Sequence, residues 1–470
     1  MRAGTSLRFL AARVWAFRRQ GFMVFAVGLL AAASQVAVYG LVKPSVDILF
    51  SGGAKEMIGG LSWISPEVKA SLEIWLNTYL LADRQKALHV VIVLILCMAV
   101  VNLLLSATHR FISRTLSRDF QIRVFKELYD HLLACPLSEI QRRRQGDIMS
   151  RFSSDILVLQ DAVLDFFQVL FKEPFFIVFS IAACVLFNWK VTLFSIAVLP
   201  LIALAITMLS QRVRRLTVRE SEIAGNLLQQ VGESISGLLN IKVFQSEAML
   251  VRMLGENCAR YLSNVRKIIR IDALTSPAID FLGYIAVALV LGFFAPLVLR
   301  GEISPGDLIT ILMLLLNIYR PMKAVSNGVH KLSRSLAAAD RIVELLNLPV
   351  EKSCGKLHFP EYFGSLEIRN LRFAYPGGSE VLSGLDATIA EGERIALVGP
   401  TGAGKSTLLH LIPMFFEFPE GGILLSGQPL QRYDLRSLRS RLALVSQNVF
   451  LFNDTVHSNI AAGGPAPRIL

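Results

Sequence analysis

The motif with the clearest chemistry is a glycine-rich run of nine residues that ends in a lysine, a serine and a threonine. It matches the pattern GxxxxGK[ST] of phosphate-binding loops. Its glycines let consecutive backbone N–H groups turn inward around phosphate oxygens, and the following helix adds the positive end of its dipole. We expect Lys405 to reach the β- and γ-phosphates of a nucleotide and Ser406 to bind Mg²⁺. The predicted nucleotide-binding residues are Gly399, Pro400, Thr401, Gly402, Ala403, Gly404, Lys405, Ser406 and Thr407.

The sequence around this loop predicts the elements that hold it. The apolar run Arg394–Val398 predicts a strand that enters the loop, and Leu408–Ile412 predicts a helix that leaves it. Short alternating runs such as Leu366–Ile368 begin only in this part of the chain. The segment 346–362, with its prolines and glycine, is typical of a linker. We therefore predict a partial α/β P-loop nucleotide-binding domain at 363–470.

The first 345 residues show a different pattern, which indicates membrane spans. The chain is 53% hydrophobic with a mean hydropathy of +0.52, and the apolar residues are concentrated in long runs. Runs of this length predict transmembrane helices. The predicted fold class for 1–345 is an all-α six-helix transmembrane domain with long cytoplasmic helical extensions. The six predicted spans are 21–42, 87–107, 166–188, 191–210, 277–299 and 305–322.

The first span has an alternative interpretation, because arginines also precede the apolar part of a signal peptide. The length of the run and the lack of a clear small-residue cleavage site before Lys43 favour a retained span. The arginines in question are Arg2, Arg8, Arg13, Arg18 and Arg19.

Loop charges predict the orientation of the spans. The segment 43–86 holds five lysines and arginines, whereas 108–165 holds nine and 211–275 holds ten. Cytoplasmic loops carry such an excess, so we expect the N-terminus and the two long loops in the cytoplasm and 43–86 outside.

Both long loops have apolar residues at the spacing of amphipathic helices. They are either simply solvated helices or extensions of the spans that carry short transverse segments to a partner domain. Under the second interpretation, contacts are expected at Gln145–Asp147, at Ser154–Asp155, at Glu233–Gly237 and at Lys242–Phe244.

The order of these features resembles that of the ATP-binding cassette (ABC) exporters, which carry six spans and one cassette on one polypeptide. Phe373-Ala-Tyr375-Pro resembles the aromatic loop of the family, and Gly399 to Thr407 its P-loop. Leu444-Val-Ser-Gln447, followed by Asn-Val-Phe-Leu-Phe, resembles its Q-loop. The two inner loops resemble its coupling helices. The resemblance covers nearly the whole chain, with specific motifs in the cassette and a general pattern in the membrane part.

This resemblance implies ATP and Mg²⁺ as cofactors, with Tyr375 stacked on adenine and Gln447 in contact with Mg²⁺ and the attacking water. It implies a dimer with a second half-transporter, most simply a homodimer. The implied location is the inner or plasma membrane, with the nucleotide-binding domain in the cytoplasm. The implied function is ATP-driven export or flipping of a hydrophobic or amphipathic substrate. A weaker alternative is an importer permease with a fused cassette, although importers usually keep these parts on separate chains.

The sequence departs from the family after the Q-loop. No LSGGQ signature, Walker B strand or switch histidine follows before Leu470. Leu425–Gln428 is no substitute, because it precedes the Q-loop, lacks the second glycine and fits a turn between strands. Hydrolysis in the family needs the signature, so we expect a truncated exporter sequence that does not turn over ATP alone. The alternative is an inactive membrane protein that binds nucleotide as a regulator, or an inert fragment.

Two cations near the predicted spans are candidate substrate ligands. Lys172 lies near the start of the third span, and Arg320 lies at the inner end of the sixth. Charges inside spans are costly and often functional. A structural explanation is that Lys172 pairs with Glu173 or a neighbouring helix and that Arg320 is ordinary interfacial charge. The placement also resembles that in lipid A-type exporters, which implies a cavity for an anionic head group of a lipid or for a drug-like compound.

The net charge of +12 does not indicate nucleic acid as a partner, because the basic residues lie mostly between apolar spans and no reader motif occurs. The five cysteines include no CxxC pair, so neither a zinc site nor a redox motif is indicated. Membrane lipids, a lipid or hydrophobic substrate and a second half-transporter are the expected partners.

Overall fold

The chain divides into two compact units. The first comprises Met1–Gln121 and Leu157–Ala337, and the second comprises Ile122–Ile156 and Ala338–Leu470. The second unit therefore combines the nucleotide-binding segment with part of the first long inner loop. A computed structural model describes residues 2–50, 84–194, 227, 229–353, 355–362, 364–375, 377–419, 422–447 and 449–461.

Helices account for almost all of the described chain before residue 347. A π-helical turn, Arg151–Asp155, joins two of them. In chain order the helices are α1 (Arg2–Trp15), α2 (Arg18–Gly40), α3 (Val42–Phe50), α4 (Arg84–Ala134), α5 (Leu137–Gln141), α6 (Gln145–Ser150), α7 (Ile156–Leu170), α8 (173–194), α9 (229–236), α10 (Leu238–Val243), α11 (Glu247–Leu299) and α12 (Pro305–Leu346).

Three helical stretches of the described chain are long and apolar enough to cross a membrane, namely Arg18–Phe50, Arg84–Ala134 and Gln145–Phe194. They contain the first three predicted spans. The fourth predicted span, 191–210, lies mostly outside the described residues. The fifth and sixth lie within α11 and α12, where Gly283–Leu299 is a shorter apolar stretch. Both helices contain internal prolines, which membrane helices tolerate because neighbouring groups satisfy the freed backbone atoms.

A buried polar cluster joins α3 to the start of α12. Lys43 forms an ion pair with Asp307, and the two side chains are only 6% and 9% exposed. Asp47 accepts hydrogen bonds from the Ser304 hydroxyl and, at 2.9 Å, from the Gly306 N–H. A Cβ at Gly306 would lie 2.6 Å from the Lys43 carbonyl oxygen, so glycine is required there. Buried charges are costly without partners, so removal of one member is expected to destabilise this contact.

An antiparallel sheet with strand order β2-β1-β3-β4 forms the centre of the second unit. Its strands are β1 (Ser365–Ala374), β2 (Glu380–Ala390), β3 (Ile423–Leu425) and β4 (Gln428–Pro429). β1 confirms the strand predicted at Leu366–Ile368. The other helices described in this part of the chain are α13 (Lys405–Leu411), α14 (Leu435–Arg439) and α15 (Val456–Ala461). The apolar core includes Leu366, Ile368, Leu371, Phe373, Leu382, Leu408, Leu411, Ile423 and Leu425.

A tight turn at Ser426 and Gly427 connects β3 to β4. Their φ angles are 47° and 76°, and positive values at both central positions are typical of a type I′ hairpin turn. This confirms that Leu425–Gln428 is a turn between strands.

The predicted strand Arg394–Val398 is wrong. Residues 393–400 have no regular secondary structure, and Ile395, Leu397 and Val398 are 47%, 44% and 92% exposed. A strand that enters a phosphate-binding loop usually lies in a parallel sheet and is buried on both faces. No described segment pairs with this run, so an extended conformation would bury none of its side chains.

Candidate nucleotide-binding site

The phosphate-binding loop has the backbone conformation that its glycines permit. Gly402 and Gly404 have φ angles of 88° and 83°, in the left-handed region that favours glycine. Gly404 is also the N-cap of α13, which begins at Lys405. A Cβ at Gly404 would lie 2.7 Å from Cδ2 of Leu382 in β2. Glycine is therefore required at this position for both its conformation and its size.

Three backbone N–H groups that would contact phosphate are available in this loop. The backbone N–H groups of Gly402, Gly404 and Lys405 donate no hydrogen bond to any described residue. The Lys405 Nζ folds back over the loop and donates to the carbonyl oxygens of Gly399 and Pro400 at 2.8 and 2.7 Å. N–H groups at a helix N-terminus and an ammonium group suit an anion. The loop therefore fits the phosphates of a nucleotide.

Tyr375 lies beside the loop, as its predicted role requires. Its hydroxyl donates to Thr407 Oγ1 at 3.1 Å, and its ring makes edge contacts with Phe373 and Phe416 at centroid distances of 5.0 and 5.1 Å. The Thr407 hydroxyl is buried in this contact, whereas Ser406 next to it is exposed. This arrangement leaves Ser406 as the accessible hydroxyl for a metal ion. Stacking of adenine on Tyr375 stays a prediction.

Gln447 forms no hydrogen bond with the loop in the described structure. It is exposed and makes no hydrogen bond within the described part of the chain. The segment after it is ordered by its own side chains, because Asn459 exchanges hydrogen bonds with the backbone N–H and carbonyl of Phe452. Thr455 caps α15 by accepting from the Ser458 N–H at 3.1 Å. The role of Gln447 toward Mg²⁺ and water stays a prediction.

An ion-pair network joins the first inner loop to the end of α12. The side chain of Arg151 in the π-turn is 5% exposed. One of its guanidinium nitrogens forms ion pairs with carboxylate oxygens of Asp147 at 2.9 Å and of Glu344 at 3.3 Å. Its other nitrogen donates to the Arg341 carbonyl oxygen at 2.8 Å. Arg341 in turn donates to Asp155 at 2.7 Å. Asp147 and Asp155 lie where the sequence predicted contacts to a partner domain.

The pKa of Glu344 is held below its usual value by this network. A hydrogen bond from Arg143 at 2.8 Å is the main cause, and the charge of Arg151 adds to it. The sequence analysis missed Arg151, Arg341 and Glu344. Opposite charges at four-residue intervals, from Asp147 through Arg151 to Asp155, were the available signal, since such residues share one helix face.

A second set of bonds in the second unit holds the linker to the end of α4 and to the nucleotide-binding segment. The Glu351 N–H donates to the Ala134 carbonyl oxygen at 2.7 Å, which holds the linker at the end of α4. Arg439 of α14 binds both carboxylate oxygens of Glu351 at 2.7 Å and also donates to the Pro413 carbonyl oxygen at 2.9 Å. Bidentate pairs of this kind fix orientation as well as distance.

The two candidate substrate ligands lie in the first unit and are not joined to each other by a hydrogen bond or ion pair. Lys172 is half-buried and donates to Ser106 Oγ of α4 at 3.4 Å, a long hydrogen bond. No ion pair between Lys172 and Glu173 is formed in the described structure. Arg320 is exposed and contacts no acidic side chain among the described residues.

Long apolar helices followed on the same chain by a phosphate-binding loop define the class of membrane transporters with a fused nucleotide-binding part. Residues 57–322 match the family model of the ABC transporter transmembrane region, and residues 382–467 match that of the ABC transporter. The chain belongs to the ABC transporter family. It is therefore a membrane protein, and the match at residues 382–467 implies that this part of the chain binds ATP.

Several similar proteins are named ATP-dependent lipid A-core flippase. That of Pseudomonas fluorescens is 31% identical over 345 residues, which cover 73% of this chain and 57% of the relative. That of Aromatoleum aromaticum is 34% identical, over 72% of this chain and 56% of the relative. That of Pseudomonas putida is 31% identical, over 90% of this chain and 69% of the relative. The chain thus spans a little over half the length of the first two.

Proposed function

We propose that this chain supplies the membrane domain and the phosphate-binding part of an ATP-driven exporter or flippase of amphipathic or hydrophobic compounds. It works as a dimer with a second half-transporter, most simply a second copy of itself. The observation that carries the proposal is the formed P-loop, with its left-handed glycines and available N–H groups, on one chain with membrane helices. The relatives named lipid A-core flippases support a lipid as the substrate.

In this proposal the P-loop residues hold the triphosphate of ATP, and the first inner loop transmits the displacement that follows ATP binding. Bound ATP with Mg²⁺ supplies the free energy of phosphoryl transfer. The N–H groups of Gly402, Gly404 and Lys405 and the Lys405 ammonium bind the phosphates, and Ser406 and Gln447 supply oxygen ligands for Mg²⁺. Tyr375 provides the surface for adenine. The Arg151 network ties the π-turn to the end of α12, so a displacement of one is passed to the other.

The proposed orientation places the N-terminus, the inner loops and the nucleotide-binding part in the cytoplasm, at the inner or plasma membrane. Lys172 and Arg320 are proposed to bind an anionic head group of the substrate. In support, the side chain of Lys172 donates only the long hydrogen bond to Ser106 among the described residues. Arg320 is exposed and has no acidic partner among the described residues.

The test is reconstitution of the chain in proteoliposomes with a fluorescent lipid. The proposal expects ATP-dependent movement of the lipid between leaflets when a partner half-transporter in the same vesicles supplies the signature and the Walker B strand, and Lys405→Ala in this chain abolishes that movement. Binding of a fluorescent ATP analogue is measured in the same vesicles, and Lys405→Ala is expected to weaken it at least about tenfold, since charge-assisted phosphate contacts are lost. A chain that binds no nucleotide would contradict the proposal.

A second candidate function is nucleotide binding without turnover. The observation in its favour is the exposed, irregular run 393–400, which leaves the P-loop without the buried strand that normally supports it. Analogue binding that depends on Lys405, together with an absence of phosphate release and lipid movement, would select this candidate over transport. Turnover that disappears in Lys405→Ala would exclude it.

A further inference from the structure

A cavity of about 950 Å³ lies within the second unit, apart from the phosphate-binding loop. Its walls come from α5 of the first inner loop, from the linker and from the segments around Phe373 and Phe416. None of the residues 399–407 lines it. Volumes of about 300–1,000 Å³ are typical of small-molecule sites. The cavity is therefore large enough for a ligand that the proposed transport does not use.

The walls of this cavity are held together by bonds between distant segments. The Glu351 N–H of the linker donates to the Ala134 carbonyl oxygen at 2.7 Å. Arg439 binds both carboxylate oxygens of Glu351 at 2.7 Å and donates to the Met414 carbonyl oxygen at 3.2 Å. Its guanidinium carbon also lies 5.2 Å from the centre of the Phe415 ring. Because Glu351, Met414 and Phe415 all line the cavity, these bonds fix its walls without a ligand.

Aromatic rings make up much of the lining. The Tyr433 hydroxyl donates to the Leu425 carbonyl oxygen at 2.8 Å, so this ring brings no unsatisfied polar group. Aromatic side chains pack favourably against other aromatic rings in edge or offset contacts. The lining therefore favours a flat aromatic ligand. The aromatic residues that line the cavity are Phe373, Phe415, Phe416, Phe418 and Tyr433.

One polar side chain of the lining has an unused hydrogen-bond acceptor. The Gln431 Nε2 donates to the carbonyl oxygens of Phe418 and Pro419 at 3.2 and 3.4 Å, which fixes the orientation of the amide. The Gln431 Oε1 is buried and accepts no hydrogen bond from any described residue. A buried acceptor without a donor is unfavourable. The cavity therefore favours a ligand that supplies an N–H group to this oxygen.

The charged side chains of the lining balance one another. Glu139 pairs with Arg142 at 2.9 Å, and Glu351 pairs with Arg439 at 2.7 Å. Because a ligand and its site have complementary potentials, this balance favours an uncharged ligand over the triphosphate of a nucleotide. The other charged residues of the lining are exposed and opposite in sign, namely Lys352 and Glu417.

We propose that this cavity is a binding site for a flat, uncharged aromatic compound with an N–H donor. The N–H group donates to Gln431 Oε1, and the ring packs against the aromatic side chains of the lining. Phe373 and Phe416 also contact the Tyr375 ring at centroid distances of 5.0 and 5.1 Å. The site is thus separate from the P-loop but shares two rings with the predicted adenine surface. It is independent of transport as proposed.

Carbostyril is the probe in the test, because it is a flat, uncharged lactam with one N–H donor. N-methylcarbostyril is the matched compound without the donor. Each is titrated into the full chain in nanodiscs, and saturation-transfer difference NMR measures binding after subtraction of empty nanodiscs. The dissociation constant of carbostyril is expected to be about three- to tenfold lower, since the methylated compound lacks one neutral hydrogen bond. Equal dissociation constants, or no binding of carbostyril above empty nanodiscs, would overturn the proposal.

Variants locate the site. Gln431→Leu is expected to lose the preference for carbostyril, whereas Gln428→Leu, at an exposed glutamine of β4 outside the lining, is expected to keep it. Val350→Trp adds a large side chain at a 43% exposed position of the lining and is expected to weaken binding of both compounds several-fold. This variant decides the question even if Gln431→Leu fails to fold. Parent-like binding in Val350→Trp, or a parent-like preference in Gln431→Leu, would overturn the proposal.

The P-loop variant separates this site from the nucleotide site. Lys405→Ala is expected to weaken binding of the fluorescent ATP analogue but to leave the dissociation constant of carbostyril unchanged. A loss of carbostyril binding in Lys405→Ala would assign the compound to the nucleotide site and overturn the proposal. The lipid-movement assay tests the proposed transport separately.

Discussion

The four-stranded sheet and the segments beside the phosphate-binding loop contain similar apolar residues, but only the sheet buries them. Ile368 and Leu371 of β1 are buried, whereas Val398 and Val445 are almost fully exposed. β1 has a neighbour on each side, β2 and β3, while 393–400 and 442–446 pair with no described strand. The P-loop keeps its shape through glycines that act locally. The apolar runs beside it need partners before burial can stabilise them.

The largest effect is expected from a pair of substitutions that replace a large apolar side chain with alanine. Leu371→Ala removes buried methyl groups from the sheet core and is expected to lower the free energy of local opening by about 2–5 kcal/mol. Val398→Ala removes exposed methyl groups and is expected to change it by less than about 0.5 kcal/mol. Hydrogen exchange of the β1 peptides and the 393–400 peptides, with the chain in nanodiscs, measures both. Equal losses would show that 393–400 is buried in solution.

A second pair of substitutions separates the cost of a left-handed backbone conformation from the cost of a steric clash. Gly404 and Gly427 both have positive φ angles, but a Cβ at Gly404 meets Leu382 whereas one at Gly427 meets nothing within 4 Å. Gly427→Ala is expected to cost about 1–2 kcal/mol from its left-handed conformation. Gly404→Ala is expected to cost about 2–4 kcal/mol, because overpacking adds to the strain.

Hydrogen exchange of α13 and of the β3–β4 hairpin measures the two costs, and ATP-analogue binding provides a second measurement. Only Gly404→Ala should weaken binding, since Gly427 lies outside the P-loop. Similar exchange and binding in the two variants would mean that the contact with Leu382 relaxes freely. The P-loop would then be less tightly held by β2 than the comparison states.

The sequence predicted most strongly what is specified locally. The helix after the P-loop, the strand in β1 and the turn after Leu425 follow from short patterns of glycine and alternating apolar residues, and all are confirmed. The strand Arg394–Val398 was wrong because its formation depends on neighbours that no local pattern shows. Lys43 with Asp307 and Arg151 with Glu344 are pairs of residues far apart in sequence. Only the folded chain brings such partners together.

The comparison of buried with exposed residues can also be made for charged side chains, with the Arg151 network as the buried case. Arg151→Met keeps the volume but removes three bonds from a nearly buried site. The substitution is expected to lower the free energy of local opening by about 1–3 kcal/mol. This is less than the loss expected for a fully buried ion pair, because Glu344 is half exposed. Arg369→Met is the control, because the ion pair of Arg369 with Glu367 is exposed to solvent and is expected to contribute little to stability. Hydrogen exchange of 145–155 and of β1 reports the two effects. Equal costs would mean that burial adds nothing to this pair.

The smallest expected effect is a pH dependence of the stability of α14, which belongs to the same unit as the sheet. Asp434 caps α14 by accepting from the Ser437 N–H at 2.8 Å, and it also accepts from the Ser353 hydroxyl at 2.9 Å. These hydrogen bonds hold the pKa of Asp434 below its usual value. The bond from the Ser437 N–H is the main cause, and the bond from the Ser353 hydroxyl adds to it. The ionised cap therefore stabilises α14 fully above the carboxyl pKa of the unfolded chain. That contribution disappears as the pH falls through the lower pKa of the folded chain.

Hydrogen exchange of α14, corrected for the intrinsic rate at each pH, should show this loss in the parent. Asp434→Asn keeps an oxygen that can accept from Ser437 but does not titrate, so its profile should be flatter over the same range. The 393–400 peptides are the internal control, because no carboxylate of the described chain caps a helix there. If the parent and Asp434→Asn follow the same profile, ionisation of the cap does not stabilise α14. Apolar burial would then be the main difference between the sheet and the segments beside the P-loop.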